Sequence, residues 1–580
     1  QSLRDDILAQ RQQANLTLNQ ILLDEFGELG IMFEQATWDT KKNKEGKPKK
    51  RPLSLADIEA LQPFHWGYEF DTVMNERGGF DAIITNPPWE IFKPQAKEFF
   101  AEFSDMVTKN KMRIEDFQKQ QKTLLCKPDI QNAWLSYLSR FPHQSLYFRN
   151  SAQYQNQRAV VNGRTTGSDV NLYKLFTEQC YNLLGPSGEC GIVIPSGIYT
   201  DLGATGLRKM FFEQTQITGL FGFENRKMIF EGVDSRFKFV VLTFAKGGRT
   251  ESFPATFMRH DVRELTWFPG KGSLDVSVDL IGRFSPGSLS IMELNGHVDL
   301  QVISKMLQFP TLGEQLDEVW NLRLTREFDM TNDSHLFRTA DDKGCLMLYE
   351  GKMIHQFDHQ FALPRYWVNK DEGRKAVLGR IQDVGQTLGY QTFRLGFRDI
   401  AHNTNTRTMI AAVLPREVFA GNTVIVSKSL LGKELIGVTA FLNSFAFDFI
   451  IRQKVTAHCN MFYVYQVPVP RLTEQDPAFG PIVERAAKLI CTTPEFDDLA
   501  AEVGLGSHRN GVTDLVGRAR LRAELDGLIA HVYGLTEAEF SHILSTFPLV
   551  DEAVKTAALE EYRRLAPDPE VLDYVKRRWG

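Results

Sequence analysis

The strongest constraint on this chain is ten residues long. Phe80-Asp81-Ala82-Ile83-Ile84-Thr85 is a short, mostly apolar run, and Asn86-Pro87-Pro88-Trp89 follows it at once. A run of that length reads as a buried strand. Two consecutive prolines fix φ, remove two N–H donors and bar the preceding residue from helix, so the strand must end at Asn86 in a stiff turn. Further strands are expected at Gly191-Ile192-Val193-Ile194-Pro195 and at Phe237–Phe244, with a helix over Asn171–Leu184 ended by Gly185-Pro186. Strands alternating with helices argue an α/β sheet. Ligands of such sheets sit beyond the carboxyl ends of the strands, which is where Asn86 falls.

An Asn-Pro-Pro-aromatic loop in that place suits the methylation of an exocyclic amine. The amine lone pair is delocalised into its ring, and two acceptors facing its two N–H bonds can localise it. Asn86 Oδ1 is one acceptor. The Pro87 carbonyl, aimed in advance by the prolines, is the other, with Pro88 stiffening the turn. Trp89 offers a flat face for a base, worth ~1–3 kcal/mol, and a base reached this way must first leave its duplex.

The rest of the chain sets the frame. Residues 1–38 read as helix, with Phe26-Gly27-Glu28-Leu29-Gly30 as an interruption, and Lys41–Arg51 as a solvated linker. Ser54 caps a short helix, Phe64–Phe70 looks extended, and 95–140 is helical. Residues 141–168 read as one long polar loop. From about 285 the pattern turns to irregular mixed α and β, and after Val467-Pro468-Val469-Pro470 it is mostly helical. The expected division is 1–53, a helical segment and basic linker; 54–285, a catalytic domain; 286–471, a mixed α/β domain; and 472–580, a helical module.

Composition excludes more than it selects. With 43% apolar and 24% charged residues over 580 positions, this is a folded, multi-domain chain. The net charge of -5 gives no global pull on nucleic acid. Six scattered cysteines form no CxxC pair, so neither zinc nor a disulfide framework is expected, and a reducing cytoplasm is the plain inference. No segment has the length and apolarity of a membrane span. Asp341 or Asp342 with Glu350-Gly351-Lys352 has the look of a metal-dependent nuclease pattern, but it is short and common, and no metal is expected.

These residues resemble a family. Phe64-His65-Trp66, Glu69-Phe70, Gly78-Gly79-Phe80-Asp81 and Asn86-Pro87-Pro88-Trp89 are similar to the adenine-N6 DNA methyltransferases of large restriction and phage-defence systems: type IIG restriction–modification enzymes and the BREX and class 1 DISARM methylases. Asp169–Phe176, Gly188–Pro195 and Val233–Phe237 continue the resemblance. Leu348–Ile354, Arg398-Asp399-Ile400-Ala401, Asn405–Thr408 and Asn443–Pro470 resemble the family's target-recognition domain. Glu524-Leu525-Asp526 and Tyr533-Gly534-Leu535 resemble its C-terminal helical module.

The resemblance implies a Rossmann-like methyltransferase sheet, S-adenosylmethionine as donor, a flipped adenine as acceptor and double-stranded DNA as partner. Asn86, Pro87, Pro88 and Trp89 match the catalytic motif one for one. Glu69 and Phe70 fall where an acidic–aromatic pair holds the cofactor. Recognition is expected between about 285 and 470, where Arg365, Lys370, Arg374, Lys375, Arg380, Arg394, Arg398, Asn405 and Arg407 supply polar and basic groups. Arg394, Arg398, Asn405 and Arg407 are the DNA-binding candidates. One part is absent: no glycine-rich cofactor loop precedes Asn86. The expectation is therefore the C-terminal part of a longer enzyme, binding donor weakly or not at all by itself, and completed by an N-terminal segment or by other defence-system subunits. Two alternatives stay open. One is an RNA or protein-glutamine methyltransferase using the same loop. The other is a DNA-binding specificity module that depends on another segment for the cofactor.

Overall fold

A computed structural model describes residues 2–104, 114–157, 159–161, 164–166, 169–402, 405–428, 430–455, 458–567 and 569–579. The chain is mixed α/β and divides into two compact units, Gln1–Asn295 and Gly296–Gly580.

The first unit is built on six strands: β1 (Phe80–Thr85), β2 (Leu184–Pro195), β3 (Thr215–Glu224), β4 (Lys238–Lys246), β5 (Ser252–Arg259) and β6 (Leu274–Ser277). Their order across the sheet is β6-β5-β3-β4-β2-β1. β1 runs parallel to β2 with Thr85 beside Ile192, and β4 runs antiparallel to both β2 and β3. The carboxyl ends of β1 and β2 and the start of β4 therefore lie at one end of the sheet.

Helices α1 (Leu172–Leu183) and α2 (Thr205–Gln214) bury Tyr173, Leu175 and Cys180, and Leu207, Met210, Phe211 and Phe212. Ile192, Ile194, Val240, Leu242 and Phe244 of the central strands are buried as well. Entry into β1 depends on Gly79. Its φ is +132°, and a Cβ there would meet the Gly185 amide nitrogen at 2.4 Å.

Several local expectations are corrected. The N-terminal helix stops at Glu28, and Gly30 adopts φ +66° as the chain leaves it. The basic stretch is not a free linker: Lys49–Pro52 pairs antiparallel with Met32–Gln35, and Arg51 clamps Asp57. That clamp, followed by bonds from Ser54, holds the Asp57 carboxyl well below the usual range. Ser54 caps the helix Leu55–Leu61 as expected. Phe64–Phe70 is not extended; Trp66–Glu69 is a short helix, followed by a wide π-type turn over Thr72–Glu76. The polar stretch after 140 holds a helix, Phe141–Asn150, and 3-10 turns over Ala152–Gln157. Residues 158, 162, 163, 167 and 168 of that stretch lie outside the described set. Leu184 passes from helix directly into β2, so Gly185-Pro186 lies within a strand.

The second unit holds two four-stranded sheets. In strand order they are Leu324–Thr325, Val424–Ser427, Arg394–Arg398, Ala411–Leu414, and Phe337–Arg338, Tyr366–Asn369, Cys345–Tyr349, Phe419–Ala420. Its helices include Gly432–Asn443, Phe445–Arg452, Phe479–Ile490, Leu515–Val532, Glu537–Ser545 and Glu552–Arg564. Among the described residues no single helix is long and apolar enough to cross a membrane.

Candidate active site

The expected reacting loop sits at the end of β1 and is pinned along the start of α1. The Leu172 amide donates to the Glu90 carbonyl (2.9 Å), the Phe92 amide donates to the Val170 carbonyl (2.7 Å), and Ile91 bridges Asn171. Pro87 is buried; Asn86 and Pro88 are exposed. The Trp89 indole N–H donates to Asn86 Oδ1 (3.1 Å) and to the Val193 carbonyl of β2 (3.3 Å). An indole nitrogen can only donate, so the amide atom beside it is the oxygen. Asn86 thus presents a fixed acceptor with a lone pair to spare, and no other side-chain bond is made to it among the described residues. The Pro87 carbonyl likewise takes no backbone hydrogen bond there.

One face of the Trp89 indole is covered by another ring. Trp89 stacks on Phe237 (centroids 5.5 Å, planes at 12°) and packs on Phe230 and Phe239 at 5.1 and 5.8 Å. Phe237, 37% exposed, is the most exposed ring of this group; Trp89 and Phe230 are half-buried. It is held by the fully buried Asn225, whose amide group donates to the Phe230 and Val233 carbonyls and whose Oδ1 accepts from the Phe230 amide, each at 3.0 Å. Reading the sequence by segment missed Phe237 and Asn225. The available signal was an aromatic placed just before a strand antiparallel to the motif strand, and it needs the sheet order to be read.

Glu69 and Phe70 lie on the β1 side. Arg11 pairs with Glu69 at 2.6 Å. Phe70 stacks on Trp66 (5.7 Å) and meets Phe80 edge-on (5.2 Å). Gly78 and Gly79 take positive φ at the entry to β1.

The recognition candidates separate by burial. Arg394 is withdrawn from the DNA-facing set: it is 1% exposed, paired with Glu327 at 2.5 Å and bonded to the Val418 carbonyl. Arg398 gives Nε and a terminal nitrogen to the Ile354 carbonyl (2.9 and 2.5 Å). Arg407 holds the fully buried Asp448 (2.7 Å) and the Asn443 carbonyl (2.6 Å), with its guanidinium 4.1 Å over the Phe445 ring. Asn405 is exposed, and so are Arg365, Lys375 and Arg380. Among the described residues no group of three or more His, Cys, Asp or Glu is placed to hold a metal, and Lys352 simply pairs with Glu350 at 3.2 Å.

Comparison with known proteins places the class. Residues 9–127 and 147–230 match the Eco57I restriction-modification methylase family, a span that includes β1 and the Asn86 loop. The resemblance to restriction–modification methylases is thereby shown. A 61-residue segment is 41% identical to a Methanocaldococcus jannaschii protein predicted to be a type II restriction enzyme and methyltransferase; the match covers 10% of this chain and 5% of that protein. Among solved structures, the type IIL restriction–modification enzyme MmeI in complex with DNA aligns at TM-score 0.35 and 11% identity, over 83% of this chain and 57% of that one. A nuclease-deletion mutant of the type ISP enzyme LlaGI with a DNA substrate mimic aligns at 0.34 and 10% identity, over 75% and 44%. The chain spans little more than half of the first and less than half of the second.

Proposed function

We propose that this chain is the amine-holding and target-recognition part of an S-adenosylmethionine-dependent DNA methyltransferase, acting on adenine N6 in duplex DNA within a restriction or defence system. The observation that carries it is the Asn86 loop. It presents an outward amide oxygen oriented by Trp89, and an unused proline carbonyl, at the carboxyl end of a strand in a segment that matches restriction–modification methylases. Asn86 Oδ1 and the Pro87 carbonyl each accept one N–H of the amine, which localises its lone pair. The exposed ring of Phe237, backed by Trp89, is the platform against which a flipped base stacks.

The sheet of 54–285 is the partial Rossmann-like catalytic domain in this reading. Residues 286–471 read the target, with Asn405, Arg365, Lys375 and Arg380 as the groups free to reach DNA, and 472–580 is the helical module. The donor itself supplies the methyl group, and its binding requires residues beyond those described.

The test offers tritiated S-adenosylmethionine with duplex DNA, RNA and protein acceptors to the enzyme isolated from its own cells. Label in duplex DNA, recovered as N6-methyladenine, is the expected result. Label only in RNA or in glutamine side chains would replace the proposal.

A further inference from the structure

In the second unit the helices Leu515–Val532 and Glu552–Arg564 touch at Gly527, where a Cβ would meet the Tyr562 amide nitrogen at 2.7 Å. Beside that contact lies a cavity of about 420 Å³. Alanines make the room for it. Ala519 and Ala523 stand one turn apart on the first helix, Ala553 and Ala557 one turn apart on the second, and all four line the cavity. Small side chains on both walls give a smooth apolar lining that suits a planar ring, and the volume is that of a site for a small organic ligand.

Three polar groups on this lining have bonding capacity to spare. Asp526 is only 7% exposed; its Oδ1 accepts from the Phe445 amide (2.8 Å), and its Oδ2 takes no hydrogen bond or ion pair among the described residues. Gln356 is buried, donates its amide group to the Asn443 carbonyl (3.0 Å), and leaves Oε1 without a donor among the described residues. Arg522 is half-buried, one turn before Asp526 on the same helix face, and has no acceptor among the described residues. The neighbouring charges are already matched: Arg407 by Asp448, Arg520 by Glu524 and Glu561 by Arg564, while Glu560 is exposed. A buried carboxyl served by a single amide costs the fold stability, and proteins carry such costs at functional sites.

We infer that this cavity is a binding site for a guanine nucleotide. The base lies against the alanine walls, Asp526 and Gln356 accept its N–H donors, and the phosphate takes the guanidinium of Arg522. Guanine sets an imide N–H beside an amino group, so it offers a carboxylate two adjacent donors. Adenine sets a ring acceptor beside its amine and turns a lone pair towards the same carboxylate. Inorganic phosphate uses Arg522 alone and leaves Asp526 and Gln356 unserved. Every residue of the site belongs to the second unit, and none belongs to the Asn86 loop.

The test is calorimetric titration of the enzyme isolated from its own cells, at pH 8, with guanosine monophosphate, adenosine monophosphate and guanosine as ligands. Guanosine monophosphate should bind saturably below ~1 mM, at least ~10-fold tighter than adenosine monophosphate. Asp526→Asn should weaken guanosine monophosphate at least ~10-fold without lowering the unfolding midpoint of the ligand-free protein. Arg522→Gln should weaken guanosine monophosphate at least ~10-fold and leave guanosine within about twofold, a split that an arginine with only a structural role would not produce. No saturable binding, equal affinity for adenosine monophosphate, unchanged affinity in either variant, or an equal loss for guanosine in Arg522→Gln would each overturn the assignment.

Discussion

Arg407 separates two accounts of the second unit, one in which it touches DNA and one in which it holds the fold. The structure supports the second. Arg407→Ala removes the guanidinium from Asp448, which is fully buried and, among the described residues, keeps the amides of Thr408 and Met409 as its hydrogen-bond donors. It also removes the bond to the Asn443 carbonyl and the packing over Phe445. Breaking a buried ion pair from one side costs about 3–5 kcal/mol, because the other charge stays buried. In a unit of this size each kcal/mol lowers Tm by about 2 °C, so calorimetry should show a fall of roughly 6–10 °C. Removing the stranded charge as well, in Arg407→Met with Asp448→Asn, should recover at least half of that loss. A Tm unchanged within about 1 °C, together with a tenfold loss of DNA affinity and a shallower salt dependence, would refute the structural role and return Arg407 to the interface.

Three further outcomes are expected. Asn225→Ala loses three half-buried hydrogen bonds at about 1 kcal/mol each and frees the segment that presents Phe237, so chemical denaturation should show about 2–3 kcal/mol less stability, together with lost methyl transfer. Phe237→Ala should cost about 5–150-fold in methyl transfer, from ~1–3 kcal/mol of stacking, with unfolding midpoint nearly unchanged because the ring is partly exposed. Burial in the second unit pushes the Asp526 carboxyl from 3.8 up to about 6. A raised carboxyl favours the folded state when protonated, so stability should rise as pH falls from about 6 towards 4. Asp526→Asn should flatten that slope and be more stable at pH 8 by up to roughly 3 kcal/mol, as read from urea unfolding at several pH values.

What the sequence disclosed and what it hid follow from the range of the interactions involved. The Asn86 turn was legible because two prolines dictate backbone geometry locally. β2, β4 and the helix Leu172–Leu183 were legible because their apolar periodicity is their burial. Arg394 read as a DNA-facing cation because nothing local announces Glu327, sixty-seven residues away, as its partner. Lys49–Pro52 read as linker because its pairing with Met32–Gln35 is made by main chain, whatever the side chains. Ile84 read as buried because the apolar run says that a strand wants cover; it is 91% exposed, and among the described residues β1 pairs with a strand on one side only.

The most direct measurement follows methyl transfer to duplex DNA by the active assembly carrying Asn86→Ala. With the amide oxygen gone, N6-methyladenine recovered after nuclease digestion should fall at least ~100-fold, the scale of losing one aimed acceptor, while affinity for the same duplex stays within about threefold. Undiminished N6-methyladenine from the variant would contradict the assignment of the amine-holding role to Asn86.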